Sequence, residues 1–203
     1  MNGLGIQYTF KIFLCSVAIT VFLFALAIAS LNAAQPAGVT YHQMGADDIK
    51  QAEGVYDTAF TEAYQHFTTQ DLGTTSASDC KDNAYWFYRD CEPFEQKDPK
   101  VHFMVAKNDG RVVGYLSFDD QGNGNVYIRE MAVEPRMWRK GIGSGLVSFI
   151  RALMPFTQKI MVVTRKINVA ACLFYQKLGF KPVNGVHDGF DANYYIAYEL
   201  VCA

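Results

Sequence analysis

The sequence predicts an α/β domain built around a mixed sheet, and three observations predict it. Short runs rich in Val, Ile, Phe and Tyr are separated by tight-turn signals, Asn108-Asp109-Gly110 and Gln121-Gly122-Asn123-Gly124. A glycine-rich loop, Arg139-Lys140-Gly141-Ile142-Gly143-Ser144-Gly145, joins the last of these runs to an apolar helical pattern. Strand and helix periods then alternate to the end of the chain, as they do where helices pack on a sheet.

Ile12 to Leu31 contains no charged residue and is rich in Ile, Leu, Val, Phe and Ala. At about 1.5 Å per residue such a run spans roughly 30 Å, the thickness of a bilayer core. Residues 1–34 are therefore read as an N-terminal hydrophobic helix, a membrane anchor or a signal peptide, and 35–203 as the folded domain. The length favours an anchor, and the Ala-rich exit Asn32-Ala33-Ala34 favours cleavage.

Val39 to Gln43 reads as the first strand. Asp47 opens a helix on which Ile49, Ala52, Tyr56, Ala59/Phe60, Ala63 and Phe67 recur at three- and four-residue spacing, its two aspartates suiting the positive end of the dipole. Thr68 to Ser78 is a polar loop, and Lys81 to Phe94 a short aromatic helix with Pro93 near its end. Strands follow at 101–106, 112–118 and 126–133, the last stopped by Pro135. Leu146, Ile150 and Leu153/Met154 mark one face of the next helix. Lys159 to Arg165 is a buried-type strand, Asn168 to Gly179 a helix, and Tyr194 to Val201 a last strand.

The composition excludes some classes of function. Half of the 203 residues are hydrophobic and 19% are charged, which supports a packed core. A net charge of −2 argues against a nucleic-acid partner. The charge is unevenly placed: residues 44–98 hold 12 Asp/Glu against 4 Lys/Arg, and residues 99–181 hold 13 Lys/Arg against 5 Asp/Glu. That asymmetry fits either ordinary solvated faces or a basic half for an anionic cofactor and an acidic half for a cationic substrate. None of the five cysteines forms a CxxC pair and the four histidines lack ligand spacing, so no metal site is expected. Cys80 and Cys91 could pair in an exported domain.

The chemistry is concentrated in two segments. In the 139–145 loop, glycines let the backbone approach a phosphate, and the amides at the helix start point at it with the dipole behind them. It is neither a GxGxxG fingerprint, since position 146 is Leu, nor a Walker loop. The second segment is Asn168-x-x-Ala171-x-x-Phe174-Tyr175-x-x-x-Gly179-Phe180, in which Asn168 also suits a helix N-cap and Gly179 a C-cap.

Together, Val133-x-Pro135, the 139–143 loop and the Asn168/Ala171/Phe174-Tyr175/Gly179-Phe180 helix resemble the GNAT (general N-acetyltransferase) superfamily in order and spacing, over about residues 39–201. The resemblance implies a GNAT-like fold with a mostly antiparallel central sheet flanked by helices. It also implies acetyl-CoA as acyl donor, no metal, and direct transfer to a primary amine of a small molecule or protein. Arg139, Lys140, Gly141, Ile142, Gly143 and Ser144 would hold the pyrophosphate, and Met131, Ala132 and Val133 the pantetheine arm. Asn168, Ala171 and Phe174 would contact the cofactor, with Tyr175 near the thioester sulfur. Trp138 departs from the pattern, since the family loop usually carries Gln or Arg there; Arg139 is its substitute. Glu130, late on the preceding strand, is the candidate general base, and Tyr175 the general acid that protonates the departing thiolate. A backbone N–H of 131–133 would polarise the acyl carbonyl.

Acids (Asp79, Asp82, Asp90, Glu92, Asp188, Asp191) and aromatics (Tyr85, Trp86, Tyr88, Tyr194, Tyr195) in the expected acceptor regions suit a cationic amine. A non-catalytic acyl-CoA- or partner-binding module at the membrane is the rival reading. Lys11 before the apolar run and Asp47/Asp48 after it place the domain outside, in conflict with a cytoplasmic acyl donor. One lysine weighs less than a two-part cofactor motif, so the expectation is a single-pass membrane protein whose domain faces acetyl-CoA; the alternative is export after cleavage.

Overall fold

Two tight turns build the centre of the sheet. Asp109 (φ 49°) and Gly110 (φ 79°) both lie in the left-handed region, as a type I′ hairpin requires. They join β2 (Val101–Asn108) to β3 (Arg111–Gly122). Asn123 (φ 53°) and Gly124 (φ 74°) make the second reversal, into β4 (Asn125–Val133). At Gly124 a Cβ would stand 2.6 Å from the Phe156 carbonyl oxygen, so no side chain fits. The computed structural model describes residues 36–74, 87, 91–92, 94–186 and 189–202.

Around these hairpins the sheet runs β1-β2-β3-β4-β5-β7-β6, with β1 (Val39–Gln43), β5 (Lys159–Arg165), β6 (Lys181–Val183) and β7 (Tyr195–Val201). Every pairing is antiparallel except β4–β5. The mixed, mostly antiparallel sheet is as expected. Strand β6 was not anticipated: Lys-Pro-Val has no alternation and is exposed throughout, and proline suits only an edge.

Helix α1 (Ile49–Tyr64) covers one face of the sheet and buries Ala52, Val55, Tyr56 and Ala59 against Phe103, Val105, Tyr115 and Ala132. It starts two residues later than the periodicity suggests. A short 3₁₀ turn, Ala46–Asp48, precedes it, and the Asp48 carboxylate accepts the Gly45 N–H at 3.1 Å and pairs with Lys107 at 2.7 Å. On the other face lie α2 (Ile142–Leu153) and α3 (Val169–Lys177), over Met104, Val113, Leu116, Val126, Ile128 and Val162. The expected aromatic helix falls mostly outside the described residues; Phe87, Cys91, Glu92, Phe94 and Glu95 are helical. The hydrophobic segment 1–34 and Cys80 also lie outside them. Among the described residues no helix is long and apolar enough to cross a membrane.

Helix α2 approaches the sheet closely because two glycines allow it. A Cβ on Gly114 of β3 would meet Ile142 Cγ2 at 3.0 Å, and one on Gly145 would meet the Tyr41 hydroxyl at 1.9 Å and Cζ at 2.2 Å. Tyr41 cannot retreat without losing its buried position, in which its hydroxyl donates to the Ile142 carbonyl at 3.4 Å. Gly145→Ala is therefore an overpacking substitution, expected to cost about 1–3 kcal/mol. At about 2–4 °C per kcal/mol for a domain of this size, calorimetry should show a melting point lower by roughly 3–10 °C. An unchanged melting point would show that the contact yields freely.

Candidate active site

The strand that carries Glu130 and Met131–Val133 parts from its parallel neighbour before it ends. The two strands pair only as far as Ile128 and Val162, although β4 continues to Val133 and β5 to Arg165. The chain arranges this with one extra residue. Ser117 pairs with Glu130 but Phe118 with Ile128, so Arg129 is a β-bulge. The bulge shifts the side-chain alternation. Val126 and Ile128 pack on the α2/α3 face, whereas Ala132 packs on the α1 face. Glu130, in step with Ala132, is thereby directed to the α1 side. Without the extra residue it would share the face of Ile128.

The same geometry leaves a free backbone edge. The Glu134 N–H donates to Val113 O at 3.0 Å, and alternation along β4 then turns the backbone groups of Ala132 and Glu130 toward β3. Met131 and Val133 turn theirs toward the gap. Of the three strand residues expected at a cofactor arm, Met131 and the N–H of Val133 thus have available backbone, while Ala132 is engaged with β3 and its side chain is buried. Trp138, the departure from the motif, donates its indole N–H to Val133 O at 2.5 Å and so ties the loop to the end of the strand.

The loop that follows leaves a run of backbone amides without backbone acceptors among the described residues. Gly141 (φ 84°) is the N-cap of α2, with no side chain capping the helix, and Arg139 (φ 62°) also turns left-handed. Among the described residues no backbone acceptor takes the amides of residues 139–144; the first one satisfied is Gly145 N–H, by Gly141 O at 2.9 Å. Arg139 and Lys140 are exposed beside them, Ser144 is half-buried and Ile142 is core. Phe174 of α3 closes in behind: a Cβ on Gly143 would lie 3.1 Å from its ring.

Glu134 anchors the approach to this loop. It is 7% exposed and binds Arg111 and Arg136, each at 2.5 Å. The Arg111 hydrogen bond, opposed by burial and helped by Arg136, holds its carboxyl below the usual range. A carboxyl depressed in the folded state contributes stability that is present above its unfolded pKa, about 4.3, and is lost as pH falls through the lower folded value. Both arginines are well exposed, so solvent screening limits the gain to about 1 kcal/mol. Glu134→Gln is expected to lower the melting point at pH 7, with the difference from wild type shrinking below about pH 4. A constant difference across that window would refute the ion-pair account.

From the α3 layer comes Tyr175, 5% exposed, with ring centroids 5.2 Å from Phe174 and 5.4 Å from Phe180. Burial above all, then the charge of Glu130 and the neighbouring Tyr64, raise its phenol well beyond the ordinary tyrosine range. Tyr175 belongs to the α2/α3 core, yet two of these influences come from Glu130 and Tyr64 on the α1 side, so charge on that side acts on the phenol. Asn168 caps α3: its Oδ1 accepts the Ala171 N–H at 3.0 Å while its Nδ2 donates to the Tyr64 hydroxyl at 3.1 Å. The side chain of Asn168 and the amide of Ala171, both expected at the cofactor, are engaged in this way.

Two residues of the gap were not singled out from the sequence, Tyr64 and Arg165. Tyr64 ends an i, i+4, i+8 aromatic stripe on α1, stacked through Tyr56–Phe60 (4.2 Å) and Phe60–Tyr64 (5.9 Å), and that spacing was the available signal. Arg165 is the last residue of β5. Its guanidinium lies 4.7 Å from the Tyr195 ring centroid and 6.0 Å from that of Tyr64, and donates to Leu72 O. Of the acids expected to attract a cationic acceptor, Asp191 accepts the Asn193 N–H at 2.8 Å and Glu92 binds Gln96 at 2.9 Å, both locally engaged. Asp79, Asp82, Asp90, Asp188, Tyr85, Trp86 and Tyr88 lie outside the described residues. Among the described residues no group of three His, Cys, Asp or Glu could hold a metal ion.

The likenesses to known proteins agree with this layout. The model of the "Acetyltransferase (GNAT) family" matches residues 59–180. N-acetylaspartate synthetase of Xenopus tropicalis is 32% identical over 100 residues, which are 48% of this chain and 37% of that protein, so the chain spans well under half of that relative. Among solved structures, the PaiA N-acetyltransferase of Thermoplasma acidophilum in complex with coenzyme A superposes with a TM-score of 0.62 at 14% identity, over 81% of this chain and 99% of that one. The ribosomal-protein-S18-alanine N-acetyltransferase of Escherichia coli gives 0.56 at 14% identity, over 80% and 93%. At such identities these two structures speak for the fold.

Proposed function

This chain belongs to the GNAT acetyltransferase family, and from that premise we propose that it moves an acetyl group from acetyl-CoA to the primary amine of a small acceptor in the gap between β4 and β5. One observation carries the reading. Past its last pairing with β5, β4 runs on toward the 139–144 turn, so a free strand edge leads to amides that no backbone acceptor takes among the described residues. An anionic pyrophosphate suits the 139–144 amides and the adjacent Arg139 and Lys140. The extended arm of the donor would pair with the Met131 and Val133 edge, much as an added strand would.

The residues then divide the reaction between them. The acceptor must reach the thioester carbonyl as a neutral amine, and Glu130 on the α1 side is placed to draw off its proton, directly or through water. A backbone N–H of the open edge steadies the carbonyl oxygen as charge builds there. As the C–N bond forms and the C–S bond breaks, Tyr175 donates its proton to the sulfur, the acylated nitrogen gives up its extra proton to solvent, and the tyrosine is reprotonated, so that one proton is released in all for each ammonium acetylated. Burial makes the phenol a weaker acid, but a thiolate in the same dry gap is a stronger base for the same reason, so the two stay matched.

The acceptor is read as the amine of an amino acid, with the N-acetylaspartate synthetase relative in support. The segment Ile12–Leu31 is read as a single-pass anchor, with a cleaved export signal as the alternative; alkaline extraction of membranes separates the two. The central test is calorimetric titration of acetyl-CoA into the full-length chain, with Gly141→Asp as control, followed by an assay of amine acetylation. Saturable binding and turnover are expected. Binding without turnover on any amine would favour a non-catalytic acyl-CoA-binding module, and no binding by folded protein would overturn the reading.

A further inference from the structure

Arg165 stands at the mouth of the gap with its charge unspent. Among the described residues no carboxylate lies within ion-pair distance of it; its contacts are Leu72 O and the rings of Tyr64 and Tyr195. A guanidinium flanked by two aromatic faces is held in one plane and partly shielded from water. Its remaining N–H donors form a fork that matches a carboxylate.

What Arg165 faces narrows the ligand. The Tyr64 phenol is pushed up by burial and, more weakly, by Glu130, and pulled down by Asn168 and Arg165, so charges of both signs act on this one hydroxyl. The gap therefore offers negative charge on one side, at the proposed base, and positive charge on the other. A diamine leaves Arg165 facing a cation; an amine that carries a carboxylate satisfies both sides.

We propose that Arg165, clamped between Tyr64 and Tyr195, binds a carboxylate of the acceptor, so that the site selects amino acids over polyamines. The proposal rests on the reading of this gap as the site of acetyl transfer, and it replaces the cationic acceptor suggested by the acidic composition of residues 44–98. Arg165 is then a specificity-determining residue. Tyr64 and Tyr195 position it, and Asn168, through its bond to Tyr64, links this clamp to the start of α3.

The experiment compares L-aspartate, L-alanine, β-alanine and putrescine as acceptors for the full-length wild-type chain and for Arg165→Gln and Arg165→Lys. The wild type should prefer the carboxylate-bearing acceptors, with putrescine poorest. Arg165→Gln should raise KM for L-aspartate about 10- to 100-fold, the range for a charge-assisted hydrogen bond. It should leave KM for acetyl-CoA unchanged and largely erase the discrimination against putrescine, with Arg165→Lys falling between. Equal loss by Arg165→Gln on every acceptor would reduce the residue to a structural clamp on Leu72 and overturn the proposal, as would wild-type acetylation of putrescine at the rate of L-aspartate. Calorimetry of L-aspartate into the CoA-saturated protein separates this idea from the acetyl-transfer reading. Arg165-dependent binding without turnover would remove that reading and keep the carboxylate site. Turnover without any carboxylate preference would do the reverse.

Discussion

Tyr175→Phe should lower kcat by about 10²- to 10⁴-fold, the usual contribution of a positioned general acid, while the affinity for acetyl-CoA stays within a few-fold of wild type. The separation of the two parameters follows from geometry. The Tyr175 ring is packed among Phe174, Phe180 and Tyr198, and phenylalanine keeps that packing. Only the hydroxyl in the gap is lost. The pH profile supplies an independent check. Burial and Glu130 raise the phenol, so it stays protonated above the ordinary tyrosine value of about 10. The wild-type rate should therefore show no downturn from this group near pH 10. A variant with full activity at every pH would remove Tyr175 from the chemistry and leave it as core.

Gly141→Asp should weaken acetyl-CoA binding about 100-fold or more, whereas Gly141→Asn should stay within a few-fold of wild type. The two side chains are nearly the same size, and both asparagine and aspartate tolerate the left-handed backbone that Gly141 adopts at φ 84°. There is room for either, since the nearest atoms to a Cβ at this position are those of Pro36 at 3.7 Å and 3.8 Å. Any stability lost by leaving glycine, about 1 kcal/mol, should be common to both. What differs is the charge. A carboxylate a few ångströms from a bound pyrophosphate at an effective dielectric near 20 costs about 2–4 kcal/mol. Calorimetric titration at two salt concentrations checks this, because the aspartate penalty should shrink as salt rises. Equal affinity of the two variants would mean that the anion does not sit on the 139–144 amides.

Much of the fold was legible because local chemistry dictates it. Asn108-Asp109-Gly110 and Asn123-Gly124 could only be tight reversals, and they are; β1 and β5 occupy the residues expected, and α2 begins at Ile142, so the last four residues of the glycine segment are already its first turn. The element that escaped notice, β6, is a strand only because β7 offers it an edge, which no property of Lys-Pro-Val announces. The hydrophobic segment, the Cys80–Cys91 pairing and most of the aromatic helix lie outside the described residues.

The site divides along the same line. The sequence by itself determined the amide cradle, because a left-handed glycine followed by a helix start is a local arrangement. It also determined Tyr175 as a residue in a helical motif. The placement of Glu130 depended on something that periodicity does not record: a single bulged residue, Arg129, sends it to the face of α1 rather than that of α2. Only the tertiary structure decided that Tyr64, Glu130, Arg165, Asn168 and Tyr175, drawn from α1, the sheet and α3, come within reach of one another's hydrogen bonds, rings or charges. The physical reason is that β4 and β5 are parallel neighbours whose hydrogen bonding stops at Ile128 and Val162. Beyond that point the strands diverge, and side chains from both faces of the sheet can reach each other where elsewhere the backbone keeps them apart.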